Sequence, residues 1–139
     1  MEEDVMKKVN AIIERAGDGT YSIYHDADDL DYLVTGTGST VQEAKKCFED
    51  GYQDMRRIFA EDGRPFVELD FTYKYDMASF LSYFSKVFSL AGLSRLTGIN
   101  QQQLNHYANG HRRPSPKTVE KMQNAIQAFA EDLSSVRFV

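Results

Sequence analysis

The sequence contains a single cysteine, Cys47, among its 139 residues. An intrachain disulfide is therefore excluded, and this cysteine usage fits a reducing compartment. Cys47 falls within a helical apolar pattern and has no Cys or His at metal-ligand spacing. We therefore predict that Cys47 is a structural thiol and not a metal ligand.

Long apolar runs are also absent. No stretch of the sequence is apolar over the length that a transmembrane helix needs. The first eight residues, MEEDVMKK, lack the apolar core of a secretory signal peptide. We expect a cytoplasmic protein without a membrane partner.

The sequence lacks the common motifs of enzymes. We find no phosphate-binding P-loop, nucleophile elbow or metalloprotease motif. Gly36 and Gly38 follow a predicted strand, but the third glycine of a dinucleotide-binding loop is missing. The three histidines lack the spacing of a zinc site. We expect no enzyme activity, no catalytic residue, no metal and no cofactor.

Charge is distributed unevenly along the chain. Residues 1–75 carry 9 Lys+Arg and 17 Asp+Glu, a net charge of −8, whereas residues 76–139 carry 7 and 4, a net charge of +3. This change, together with the patterns below, predicts an α+β domain over 1–75 and an all-α domain over 76–139. The basic half can approach phosphate, and the acidic half favours a basic partner.

The acidic half shows strand and helix patterns in the order βββαβ. Alternating apolar residues predict strands over 7–15, 20–24, 32–37 and 66–75. Glu68 and Asp70 should lie on the exposed face of the last strand. Helical spacing predicts a helix over 41–60, opened by a capping box of Thr40 and Glu43. Its apolar positions are Val41, Ala44, Cys47, Phe48, Tyr52, Met55 and Phe59.

Four aspartates follow the second predicted strand. They are Asp26, Asp28, Asp29 and Asp31. Three interpretations are open: a solvated loop, a surface that contacts a basic partner, or a Mg²⁺ site for phosphoryl chemistry. The last needs carboxylates that converge from several elements, and one loop does not show this. Of the two functional interpretations, the charge balance favours a surface for a basic partner.

The segments GDGTYSIYHDADD and GTGSTVQEAKKCFEDGYQDMRR resemble the HicB family of antitoxins. The matching positions are Asp18, Gly19, Tyr21, Gly38, Thr40, Glu43 and Ala44. The proline-rich loop of the family is replaced here by HDADDLD, which keeps only the acidic character. The resemblance implies a degenerate RNase-H-like domain that masks a small basic mRNA-cleaving toxin, HicA. It also implies repression of the antitoxin's own operon.

The basic half reads as a set of short helices. We predict helices over 77–88 and 89–97 and a helix over 100–109 with Asn100 as its N-cap. A final helix is predicted to be capped by Ser115, with Pro116 in its first turn. Gly98 breaks the chain between the second and third helices. Residues 136–139, VRFV, are either a short strand or a disordered tail.

Residues 93–114 resemble the helix-turn-helix of the Cro/C1-type (XRE) repressor family. The positions that carry the resemblance are Leu93, Ser94, Gly98, Ile99, Asn100, Leu104, Tyr107, Asn109, Gly110, Arg112, Arg113 and Pro114. Ser94 replaces the usual alanine, and Ala108 stands where the family often has glutamate. The resemblance implies that the helix over 100–109 recognises operator DNA.

The amide-rich helix and the loop after it supply the predicted DNA contacts. Gln101, Gln102 and Asn105 are predicted to contact base edges, with His106 on the same side. Arg112, Arg113 and His111 are predicted to contact phosphate. Because one module buries little surface, we expect a homodimer or higher even oligomer on a palindromic operator.

Two functions follow from the sequence. In the first, the chain is a type II antitoxin that neutralises a small basic HicA-like toxin and represses its own operon. In the second, it is a stand-alone transcriptional regulator whose α+β domain dimerises or senses a ligand. The acidic half favours the first, and the missing proline-rich loop favours the second.

Overall fold

The computed structural model describes residues 6–139, so the first five residues of MEEDVMKK and of the predicted domain over 1–75 lie outside it. The described chain separates into two compact units between Asp76 and Met77. The first contains β1 (Lys7–Arg15), β2 (Tyr21–His25), β3 (Thr35–Gly38), α1 (Val41–Glu61) and β4 (Leu69–Tyr75). The second contains α2 (Met77–Tyr83), a 3₁₀ turn (Phe84–Lys86), α3 (Leu90–Thr97), α4 (Gln101–Ala108) and α5 (Pro116–Ser134). Within residues 6–139, no helix is both long and apolar enough to span a bilayer.

The first unit is a four-stranded sheet with one helix packed on it. The strand order is β3-β2-β1-β4, and β1 pairs with β2 antiparallel and with β4 in parallel. The parallel pair is possible because α1 carries the chain back across the sheet. Alternate residues of β1 are buried, namely Val9, Ala11 and Ile13. The predicted βββαβ order is confirmed.

The helix α1 lies very close to the edge strand β3. A Cβ on Gly36 would lie 2.5 Å from the carbonyl oxygen of Ala44 and 2.5 Å from the backbone nitrogen of Phe48. Only glycine permits backbones to approach so closely. The N-terminus of α1 is capped as predicted, since Thr40 Oγ1 accepts from the Glu43 amide at 3.1 Å. The Glu43 carboxylate reaches back one residue further than a standard capping box, to Ser39 N at 2.9 Å.

Aromatic rings fill the space between α1 and the chain that enters β4. Tyr32 stacks on Phe66 at 4.8 Å between ring centroids, and Phe59 meets both rings edge-on at 5.4 Å. The hydroxyl of Tyr52 accepts from Leu69 N at 2.9 Å and donates to Glu68 at 3.1 Å. Burial raises the pKa of Tyr52, so the phenol stays protonated and able to donate.

Four predictions for the first unit need correction. Glu68 is not on an open face, because it pairs with Arg56 and is half-buried. Strand β4 begins at Leu69 and not at residue 66. The carbonyl oxygen of Val67 accepts from the Tyr32 hydroxyl and not from a neighbouring strand. Strand β2 spans 21–25, one residue beyond the predicted 20–24. Cys47 is exposed and does not belong to the buried face of α1.

The start of the third strand is also corrected. It begins at Thr35 rather than residue 32, because the amide of Val34 donates to the His25 side chain at 3.1 Å instead of to a neighbouring strand. Tyr32 and Val34 are nevertheless buried. Burial alone therefore does not place a residue in the sheet.

The second unit is a bundle of short helices around one core. The buried residues of that core are Leu81, Leu93, Ile99, Leu104, Tyr107 and Met122. The predicted helix over 77–88 is shorter than expected, ending at Tyr83 before the 3₁₀ turn. The predicted cap Ser115 is confirmed. Ser89, predicted to begin the second helix, is the N-cap of α3. Residues 136–139 are irregular and form no strand.

Replacement of Gly36 by alanine tests the close approach of α1 to β3. The added methyl has only backbone atoms beside it, so α1 must shift. We expect Gly36→Ala to lower the free energy of unfolding of the first unit by about 1–3 kcal/mol, measured by denaturant titration. Gly17→Ala is the control, because a Cβ at Gly17 meets nothing within 4 Å. Equal stability of the two variants would contradict the packing described.

Candidate nucleic-acid interface

The turn between α3 and α4 is fixed by two adjacent residues. Gly98 ends α3 with a φ of 76°, in the left-handed region, and its amide donates to Ser94 O at 2.8 Å. Thr97 is buried, and its Oγ1 donates to Leu93 O at 2.7 Å while accepting from Ile99 N at 3.1 Å. These bonds satisfy the backbone groups that a sharp turn would otherwise leave unpaired. The turn therefore holds α4 in a defined direction.

Asn100 begins α4. Its side-chain oxygen accepts from the amide of Gln102 at 2.8 Å and from that of Gln103 at 3.4 Å. This is the N-cap geometry that the sequence predicts. Two of the backbone N–H groups at the start of the helix are thereby satisfied, so Gln101 and Gln102 lie on an ordered helical turn.

One side of α4 packs on the core and the other faces solvent. Leu104 is fully buried and Tyr107 is 4% exposed. At about 100° per residue, Gln102, Asn105 and Asn109 fall on the opposite side of the helix, and all three are exposed. These three side chains form a solvent-facing strip of amide groups, the amide strip, on a helix whose other side is packed on the core. Amides can pair bidentately with adenine edges.

A basic loop follows α4. Gly110 has a φ of 73°, which turns the chain after the helix. His111, Arg112 and Arg113 are exposed beyond it, before Pro114. The loop is held to α4 by the amide of His111, which donates to the carbonyl of His106 at 3.0 Å. Cations therefore lie directly beside the C-terminal end of the amide strip.

The comparison with protein families matches this region. A family model described as helix-turn-helix covers residues 88–128. These residues run from Phe88, through α3 and α4, into α5. The match assigns this segment to sequence-specific DNA binding and transcriptional regulation. No curated protein and no solved structure matches the chain.

The predicted DNA-contacting residues lie on one continuous stretch from α4 into the basic loop. Gln101, Gln102 and Asn105 are exposed on α4. His106 is half-buried, with its ring 6.4 Å from that of His111. Sequence reasoning did not include Asn109, although helical spacing from Gln102 and Asn105 would have found it. Their individual roles stay predictions.

The buried hydroxyl of Thr97 was also missed. A threonine near a helix end can bond to several neighbouring backbone groups. The signal in the sequence is the position of Thr97 directly before Gly98, where the helix must end. Its hydroxyl bonds to Leu93 and Ile99 and so helps to position α4.

Three of the four aspartates in the acidic loop of the first unit are engaged by other residues of that unit. Asp26 accepts from the backbone amide of Asn10 at 3.0 Å and from its side-chain amide at 2.9 Å. Asp29 pairs with Lys7, and Asp31 pairs with Arg64 at 2.9 Å. These bonds hold the pKa of Asp26 and that of Asp29 below the usual value. The loop is therefore an ordered structure tied to β1 and to the segment after α1.

His25 joins the two ends of that loop through its side chain. It is 5% exposed, and its Nε2 accepts from Val34 N at 3.1 Å. Burial lowers the pKa of His25, partly opposed by the negative charge of Asp26 and the backbone of Ala27. The ring is thus held neutral, with the proton on Nδ1, since a protonated Nε2 could not accept this bond. His25 closes the loop over 26–33 by joining its two ends.

Replacement of Thr97 by valine tests the turn. Valine has the same shape but leaves the buried Ile99 amide without an acceptor, so we expect a loss of about 1–3 kcal/mol from the unfolding free energy of the second unit. Thr97→Ser retains the hydroxyl and should recover most of that loss. Thermal unfolding followed by circular dichroism measures both variants. A valine variant as stable as the wild type would rule out the role of this hydroxyl.

Proposed function

We propose that the chain is a type II antitoxin. Its second unit would repress its own operon by sequence-specific DNA binding, and its first unit would bind and neutralise a small basic HicA-like mRNA-cleaving toxin. In this proposal the chain itself has no enzyme activity. The observation that carries the DNA-binding part is the exposed amide strip of α4 beside a basic loop, within the matched helix-turn-helix.

The charge of the first unit supports the toxin-binding part. A net charge of −8 over residues 1–75 repels DNA and attracts a basic protein. The βββαβ order and the positions shared with HicB antitoxins support the same proposal. All four loop aspartates are exposed, but Asp28 is the one whose side chain has neither a hydrogen bond nor an ion pair with another residue of 6–139. It is therefore the first choice for partner contact among them.

One observation favours the alternative of a stand-alone transcriptional regulator. Asp26, Asp29 and Asp31 are already engaged by Asn10, Lys7 and Arg64. A toxin would have to displace these groups or bind elsewhere on the acidic unit. In the alternative, the first unit dimerises or senses a ligand, and the loop serves only its stability.

Gln102 tests base recognition by α4. We expect Gln102→Ala to lose about 1–3 kcal/mol of discrimination at one base pair of the operator. Fluorescence anisotropy with the operator and its single-base variants measures this loss. Gln127→Ala, at an exposed position of α5, is the matched control. Equal weakening of binding to all sequences would refute the base contact.

Arg112 tests phosphate contact by the basic loop. We expect Arg112→Ala to weaken binding to every sequence and to reduce the slope of log K against log salt by about 1. The measurement is a salt titration of operator binding and non-specific DNA binding. Arg57→Ala serves as a control, because it removes an exposed arginine of the first unit, outside the matched region. An unchanged slope would exclude the phosphate contact.

The toxin-binding part is tested by purification of the tagged chain from its native cell. We expect a stoichiometric small basic protein that cleaves mRNA and is inhibited when the chain is added back. The Arg112→Ala Arg113→Ala double variant should capture the same protein, which excludes bridging by nucleic acid. Recovery of the chain alone would overturn the antitoxin proposal and leave the regulator.

A further inference from the structure

The apolar stripe of α5 continues beyond the core that it covers. Val119, Met122, Ile126, Phe129 and Leu133 recur on α5 at alternating spacings of three and four residues, and Val136 follows in the irregular segment after the helix. Met122 is 4% exposed, Ile126 packs on the core, and Phe129 meets Phe88 at 5.8 Å between ring centroids. The middle of the stripe therefore completes the helix-turn-helix unit.

The last part of the stripe is exposed. Leu133, in the last turn of α5, is 57% exposed. Val136 and Phe138, in the segment after the helix, are 44% and 94% exposed. We call these three residues the terminal stripe. It lies outside residues 88–128, the part matched by the helix-turn-helix family. An apolar surface of this kind on a small unit indicates an interaction site.

We propose that the terminal stripe is the dimerisation surface and that its partner is a second copy of this chain. In a two-fold contact, residue i faces residue j of the other copy and the reverse. An antiparallel pairing that sets Leu133 against the second copy's Val136 also sets Asp132 against the second copy's Arg137. The segment thus offers matched apolar and opposite-charge pairs to itself.

The charges around the stripe argue against DNA as the occupant. Glu131 and Asp132 flank Leu133 on the helix and would repel phosphate. Arg137 is held close to the helix end, where its Nη1 donates to Ser134 O at 3.0 Å and to Val136 O at 2.7 Å. The other donors of its guanidinium group can serve a carboxylate.

The small area of the stripe limits the strength of the dimer. Three such side chains expose on the order of 400 Å², about half of the ~800 Å² per partner that stable interfaces bury. We therefore expect a dimer with a Kd in the micromolar range, strengthened when two recognition helices bind one palindromic site. The biological role of this dimer rests on the proposed DNA binding, but its existence does not.

Sedimentation of the full chain without DNA, from about 1 to 200 μM, tests the surface. The wild type should move from monomer to dimer over this range, and Leu133→Asp should raise the dimer Kd at least tenfold. Val87→Asp is the control, because Val87 is 68% exposed but lies outside the stripe. A wild type that stays monomeric throughout, or a dimer that Leu133→Asp leaves intact, would overturn the proposal.

A charge exchange gives a second readout that simple misfolding does not mimic. Asp132→Arg and Arg137→Asp should each weaken the dimer, and the double variant should restore it. Binding of Leu133→Asp to a single half-site should remain at the wild-type level, whereas cooperative binding to the palindrome should be lost. A wild-type chain that does not bind a half-site would refute the proposed function without contradicting the dimer. Failure of the double variant to recover would refute the pairing.

Discussion

The turn between α3 and α4 is the constraint on which the DNA-binding unit depends. Gly98 supplies a backbone conformation that side chains other than glycine rarely adopt, and the hydroxyl of Thr97 pairs with both sides of the break. With the turn fixed, Ile99 and Leu104 enter the core. The amide side of α4 must then face solvent. The chemistry available to DNA follows from the packing of the opposite face.

The first unit depends on a comparable backbone constraint. Gly36 lets α1 settle on β3, and this position leaves the rest of α1 to cover the sheet with Phe48, Tyr52 and Phe59. In the loop over 26–33, Tyr32 packs against Phe59 of this core. The rest of the loop is ordered by His25 and by ion pairs to Lys7 and Arg64. Two of its aspartates are therefore paired with cations of the same unit. In the proposed function, the net negative charge of the whole unit, more than that of the loop alone, would attract the basic toxin.

Sequence alone predicted the features that depend on neighbouring residues. The caps Thr40, Asn100 and Ser115 were predicted correctly because each bonds to an amide two or three residues away. The features that were missed involve distant partners. Val34 is not part of β3, because its amide donates to the side chain of His25, nine residues earlier. Glu68 is half-buried because it contacts Arg56 and Tyr52 of α1. The periodicity of one strand does not predict contacts with residues of another element.

Selection of binding sites from a pool of random double-stranded DNA tests the central claim most directly. If the amide strip of α4 reads bases, the full chain should enrich one short motif. That motif should recur as an inverted repeat with half-sites about one helical turn apart, or at a multiple of it. Enrichment without any common motif, or retention that depends only on salt, would contradict sequence-specific recognition by α4.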